Sequence, residues 1–175
     1  MNEAVKEALE TLETLTPLKR DCGRLCGARC CQSLEGEETG MVLFPGEEEA
    51  YDGREGWTLK AVRHGESGKD DGTAGEKIVI CPGTCERTER PLSCRMFPLI
   101  PELGTDGLIR VRMDQRARAV CPLSRQGRSG LDPDFVEGVI RAGERLAADE
   151  EAAAVLRRLT EEQEELREMR KKWTR

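Results

Sequence analysis

Apolar residues recur at Val5, Ala8, Leu9, Leu12 and Leu15, and these spacings of three and four predict an amphipathic helix over residues 3–15. Pro17, with Lys19 and Arg20 after it, marks its end. Beyond a cysteine-rich stretch, MVLFP at 41–45 predicts a short strand, and GEEEAYDG a brief helix started at Pro45. TLKAV at 58–62 alternates weakly. HGESGKDDGTAGE at 64–76 is polar and glycine-rich, a solvated loop by composition, and KIVICPG at 77–83 predicts a strand running into a turn. LIRVRMD at 108–114 alternates apolar and charged residues like a half-exposed strand.

The pattern changes at Asp132. Asp132 suits an N-cap, Pro133 the first helical position, and Phe135, Val136, Val139, Ile140 and Leu146 form an apolar stripe along a helix of about four turns. Residues 149–173 continue helically, with Ala152, Leu159, Leu166 and Trp173 at intervals of seven and Thr160 and Gln163 placed to restart the helix as a capping box. Gln163 and Arg170 occupy the companion seam positions, so this segment is expected to pack on its own domain rather than form a coiled-coil dimer.

Composition narrows the function. The chain has 175 residues, 37% hydrophobic and 3% aromatic, enough for one domain with a thin apolar core that needs further support. Its 34 acidic and 28 basic side chains give a net charge of −6, which argues against nucleic-acid binding, where affinity comes largely from neutralising phosphates. MNEAVKEALETLETL lacks a signal-peptide apolar region and no stretch is apolar enough to span a membrane, so a cytoplasmic protein with no membrane partner is expected. In that reducing setting, cysteines serve metal binding or catalysis more often than disulfides.

There are eight: Cys22, Cys26, Cys30, Cys31, Cys81, Cys85, Cys94 and Cys121. Four fall within ten residues, in DCGRLCGARCCQS. Neighbouring α-carbons lie about 3.8 Å apart, short of the roughly 4.4 to 6.8 Å of ordinary disulfides, so a Cys30–Cys31 bridge would be strained. On one straight helix Cys22 and Cys30 would stand about 12 Å apart along the axis, too far for two sulfurs each about 2.3 Å from one zinc. Either the chain turns at Gly23 or Gly27, or the outer thiols serve different metal atoms. Soft thiolates select zinc or iron–sulfur clusters over magnesium or calcium. Eight ligands fill two four-cysteine sites, or one cluster with structural or reactive thiols left over.

CGRLCGARCC, CPGTC, RPLSCRMFPL and the later VCPL together resemble the YkgJ-type cysteine-cluster proteins, over about residues 22–121. That resemblance implies metal chelation of the zinc or iron type by the cysteines, a cytoplasmic setting and, through a flagellin lysine N-methylase branch, protein methylation. The C-x3-C-x3-C spacing is wider than the family's CxxCxCC pattern.

Arg90 and Arg95 flank Cys94. Arg95 is a candidate for stabilising an anionic metal–thiolate centre or binding a substrate carboxylate, against the alternative that it bonds backbone carbonyls. His64, the one histidine, opens the polar loop and reads as solvated. The acidic run at 46–52 reads as a solvated face. No GxSxG, Walker or GxGxxG motif is present, and the cysteine spacing is not that of radical S-adenosylmethionine enzymes.

The expectation is therefore an α+β fold. A small cysteine-rich metal-centred domain with short strands and an N-terminal helix covers residues 1–131, and a C-terminal helical segment, 132–175, packs on it. Its function would be binding zinc or iron, the latter as an iron–sulfur cluster. The alternatives are an iron–sulfur-dependent protein-modifying enzyme, a binding module with structural zinc and a protein partner, and a thiol redox switch.

Overall fold

The computed structural model describes residues 1–32, 40–62, 76–83 and 85–173. The fold is α+β, with short antiparallel strands among helices. His64 and the polar loop before Glu76 lie outside the described residues.

Helix α1, Glu3–Thr11, starts at Asn2, whose side chain accepts from Ala4 N at 2.9 Å. It stops four residues short of the expected end because its last turn is served from elsewhere in the chain. The helix has no basic residue in that turn. Instead Arg95 donates to Leu9 O at 3.1 Å, and Arg87 donates to Leu12 O at 3.1 Å, Glu13 O at 3.3 Å and Leu15 O. Two distant guanidinium groups thus satisfy carbonyls that the helix and the turn after it leave open.

Three strands, β1 (Met41–Val42), β2 (Thr58–Val62) and β3 (Glu76–Ile80), form an antiparallel sheet in the order β1-β3-β2, with Leu59 opposite Val79. A small buried group of Leu43, Tyr51, Trp57 and Val79 belongs to this sheet, and Cys81 and Cys85 pack against it. The Tyr51 and Trp57 rings sit 4.7 Å apart, with the Arg54 guanidinium 5.2 Å from the Trp57 ring centre.

Helix α2 (Gly23–Cys26) is a single turn in the cysteine run. After helix α3 (Leu92–Met96) the chain enters strand β4 (Leu99–Leu103), which pairs with β5 (Ile109–Met113) in register Pro101 opposite Val111. The alternation at 108–114 predicts β5, but β4 carries no comparable signal, because LIPEL is buried along most of its length and has proline at its centre. Proline is tolerated since, among the described residues, this ladder has two strands, so each is an edge strand.

Following helix α4 (Ala117–Val120), helix α5 (Pro133–Ala147) begins at the predicted cap, where Asp132 accepts from Asp134 N at 2.9 Å. It is the central element, packed against α1 on one side and the β4–β5 hairpin on the other. Two glycines permit this close approach. A Cβ on Gly138 would fall 2.4 Å from Leu15 Cδ1, and one on Gly143 2.7 Å from Pro101 Cβ. Phe135, Val139, Ala142 and Leu146 are wholly buried, in one core that also holds Val5, Leu12, Leu99 and Leu156.

Helix α6 (Glu150–Trp173) is continuous. Its start is set at Asp149, which accepts from Ala152 N at 2.9 Å, and Thr160 does not restart it. Thr160 Oγ1 instead donates to Leu156 O and accepts from Leu103 N, tying α6 to β4. Gln163 is fully buried, accepting from Gln115 N at 2.8 Å and donating to Asp114 Oδ1 at 3.0 Å. The helix packs against β4 and α5, but the seven-residue stripe is only half used, since Leu159 is buried and Trp173 is 89% exposed. No helix among the described residues is long and apolar enough to cross a membrane.

Candidate metal centre

The first four thiols sit on a reversing stretch of chain. Cys22 caps α2 and Cys26 ends it, then Gly27 (φ +62°) and Ala28 (φ +53°) take left-handed conformations and Arg29–Cys31 forms a 3-10 turn. The reversal falls at Gly27, one of the two glycines the spacing singles out, where a side chain is disfavoured. Cys30 Sγ and Cys31 Sγ stand 3.9 Å apart, hydrogen-bonded and without a disulfide.

The other four come from separate places. Cys81 and Cys85 flank the turn after β3, Cys94 lies in α3, and Cys121 ends α4. Gly83 brings the first turn beside the cysteine run, because a Cβ there would lie 3.6 Å from Cys31 O. Helix α4 lies against the Arg29–Cys31 turn. Cys22 and Cys121 pack on the large core, whereas Cys81 and Cys85 pack on the small one. All eight are free thiols, Cys30 exposed and the others partly buried.

Their charges act on one another in a definite pattern. Burial pushes the Cys22 thiol up, with further upward pressure from Cys121, Asp21 and Cys26. Burial likewise raises Cys121, with Cys26 adding to it, while the amides of Leu123 and Ser124 oppose. Cys94 is packed deeply enough that burial drives it well above the ordinary thiol range, and Cys31, Cys81 and Cys85 add to this. Cys85 is raised by burial and by Cys81 and Cys31, against the pull of Arg90. The bond between Cys30 and Cys31 raises Cys30 and holds Cys31 down to about 6, with Arg90 helping to stabilise the Cys31 thiolate.

Arg90 is the cation common to these groups. It lowers Cys22, Cys31, Cys85 and Cys94, and its Nη2 donates to Cys85 O at 3.4 Å. Its Nε is buried without a hydrogen-bond partner. Arg87 stands behind it, drawn down to about 10 by burial and by Arg90 and Arg95.

Arg95 has the other of its two sequence readings. Its Nε donates to Arg90 O at 3.0 Å, Nη1 to Leu9 O at 3.1 Å and Nη2 to Thr88 O at 2.7 Å, so it is engaged by backbone carbonyls. Arg90, which flanks Cys94 in sequence only as part of a proline-framed loop, is the residue that faces the thiols. The acidic run is corrected as well. Glu47 is not solvated but 1% exposed, accepting from Phe44 N and Leu92 N at 2.8 Å each.

As the side chains stand, no three Cys, His, Asp or Glu among the described residues form a group that could hold a metal ion. An open cavity of about 710 Å³ lies away from the cysteines, between the β4–β5 hairpin and α6, and is lined by charged residues including Arg167, which pairs with Glu102. The chain matches no protein-family model, no curated protein and no solved structure.

Proposed function

We propose that this is a cysteine-ligated metal-binding protein of the reducing cytoplasm, a metal-centred α+β domain whose thiolates hold zinc or an iron–sulfur cluster. What supports this reading is the pattern of eight cysteines in four segments, together with three contacts: the Cys30 and Cys31 sulfurs 3.9 Å apart, the Gly83 turn beside Cys31 O, and α4 against the Arg29–Cys31 turn. The donor set fits zinc or iron, and the open Arg90 Nε fits the negative charge that thiolate ligation concentrates there. The cysteine motifs that resemble the YkgJ-type proteins contain every one of these residues.

The metal supplies what the thin core lacks. The 3-10 turn at Arg29–Cys31, the Cys81–Cys85 turn and the end of α4 hold few large apolar side chains, and ligation fastens them to one another. Structural zinc contributes roughly 10 to 16 kcal/mol in small peptides, comparable with the whole stability of many domains. Arg90 offsets the charge of the ligated sulfurs, and Arg87 and Arg95 hold its loop against the end of α1.

Elemental analysis of protein purified without oxygen tests the proposal. Zinc or iron in stoichiometric amount is expected, and stripping it with a chelator should lower the melting temperature measured by circular dichroism. Protein that is fully metal-free as isolated, with an unchanged melting curve after added zinc or iron, would refute it.

A further inference from the structure

The cavity between the β4–β5 hairpin and α6 has a smaller neighbour of about 360 Å³ whose wall carries one sign of charge. Arg112 of β5, Arg118 of α4 and Arg167, Arg170 and Lys171 of α6 form that wall. Spacings of three and four put the last three on one face of the helix. Among the described residues, no carboxylate, cysteine or aromatic ring lines this cleft. The larger cavity shares Arg112 and Arg167 but also has Glu161 and Glu164, which repel an anion there. Neighbouring side chains hold the cations in place. Glu102, only 5% exposed, pairs with Arg112 Nε at 3.4 Å through one oxygen and with Arg167 through the other. Gln115 Oε1 accepts from Arg170 Nη1 at 3.3 Å, and the Arg118 guanidinium has no partner among the described residues. Arg112, Arg118 and Arg167 thus set three positive charges against the one carboxylate of Glu102, in a chain whose net charge is −6. The helix dipole accounts for basic residues at the end of α6, but not for Arg112 and Arg118, which come from other elements.

We propose that this cleft binds a compact, multiply charged phosphate anion, of the size of pyrophosphate or a small phosphate ester. Guanidinium groups match phosphate oxygens with paired hydrogen bonds, and several of them converging on one concavity repel one another until an anion enters. The size agrees, because ligand pockets run from about 300 to 1,000 Å³ and this one lies near the small end. With Met113 and Gln115 as the other lining residues, the cleft offers no ring on which a nucleobase could stack, so the ligand is read by its charge. A long polyanion such as nucleic acid would meet the acidic remainder of the chain, whereas a compact one stays inside the basic wall. The site is separate from the thiols and does not depend on the metal-binding reading.

The test is isothermal titration calorimetry of the full chain with sodium pyrophosphate, and with ADP for comparison. Wild type should bind one pyrophosphate per chain with a dissociation constant below about 1 mM. R118Q with R170Q, both exposed, should weaken binding at least about tenfold, the equivalent of one charged hydrogen bond. K6Q with R141Q removes the same charge from exposed positions outside the cleft and should change it less than about twofold. ADP should bind no more tightly than pyrophosphate. The absence of saturable binding in wild type up to about 10 mM overturns the proposal. So does equal weakening in the two double variants, which marks a general charge effect. Heat that persists unchanged in R118Q/R170Q also overturns it, because pyrophosphate drawing a metal from the thiols would give that result. ADP binding more than about tenfold tighter overturns the assignment of a ligand read by charge alone.

Discussion

Replacing Arg95 with methionine keeps the length of the buried stem and removes the guanidinium that joins three parts of the chain. In the structure this group donates to Leu9 O at the end of α1, to Thr88 O and to Arg90 O. Hydrogen bonds from a charged donor contribute about 1.5 to 3 kcal/mol each, so three total about 4.5 to 9 kcal/mol. Thr88 is exposed and Arg90 partly so, so water can replace some of what Arg95 gives their carbonyls, while Leu9 O belongs to a helix end with no basic residue of its own. The expected loss is therefore near the low end, about 4 kcal/mol. With a urea slope of about 2 kcal/mol per molar, the unfolding midpoint should fall by about 2 M. The assay is urea denaturation of wild type, R95M and R95K prepared identically. R95K should recover only a minor part, because an ammonium cannot present the planar fork that reaches three carbonyls. A loss below about 1 kcal/mol in R95M, or full recovery in R95K, would refute the bridging role.

Burial pushes the Glu47 carboxyl from 4.5 up to about 7, although the amides of Phe44 and Leu92 and the charge of Arg95 pull the other way. The folded state thus holds this proton more tightly than the unfolded chain, so its contribution to stability is complete below pH 4.5 and is lost as pH rises through about 7. The stability difference between wild type and E47Q, from urea denaturation across pH 4.5 to 8, should decline along that window, and a difference independent of pH would rule the account out. Phe135→Ala should cost about 3 to 5 kcal/mol in the same assay, since the ring is wholly buried in the large core. Gln163→Leu should cost about 1 to 3 kcal/mol, because it strands the Gln115 amide and takes a donor from buried Asp114. A neutral result for Gln163→Leu would mean that water replaces both bonds.

The sequence by itself determined the elements whose causes are local. The spacing of Phe135, Val139 and Leu146 with the Asp132–Pro133 start specifies α5, and the alternation of 109–113 specifies β5, because periodicity and caps act within a few residues. It also named the candidate ligands, since eight thiols in so few segments are legible from composition and spacing, but it left open whether the chain turns at Gly23 or Gly27 or the outer thiols serve different metal atoms. Only the tertiary structure decided what depends on distant partners. The end of α1 is set by Arg87 and Arg95, more than 70 residues away, and not by Pro17. The buried, proline-bearing β4 has no alternation because most of its residues face protein. Glu47 sits in a run that reads as solvated, but two amides from Phe44 and Leu92 give its carboxyl a buried place. The surroundings of Cys31 belong to this second kind as well, because α4 packs on the Arg29–Cys31 turn and Gly83 lies beside Cys31 O, both from segments far along the chain.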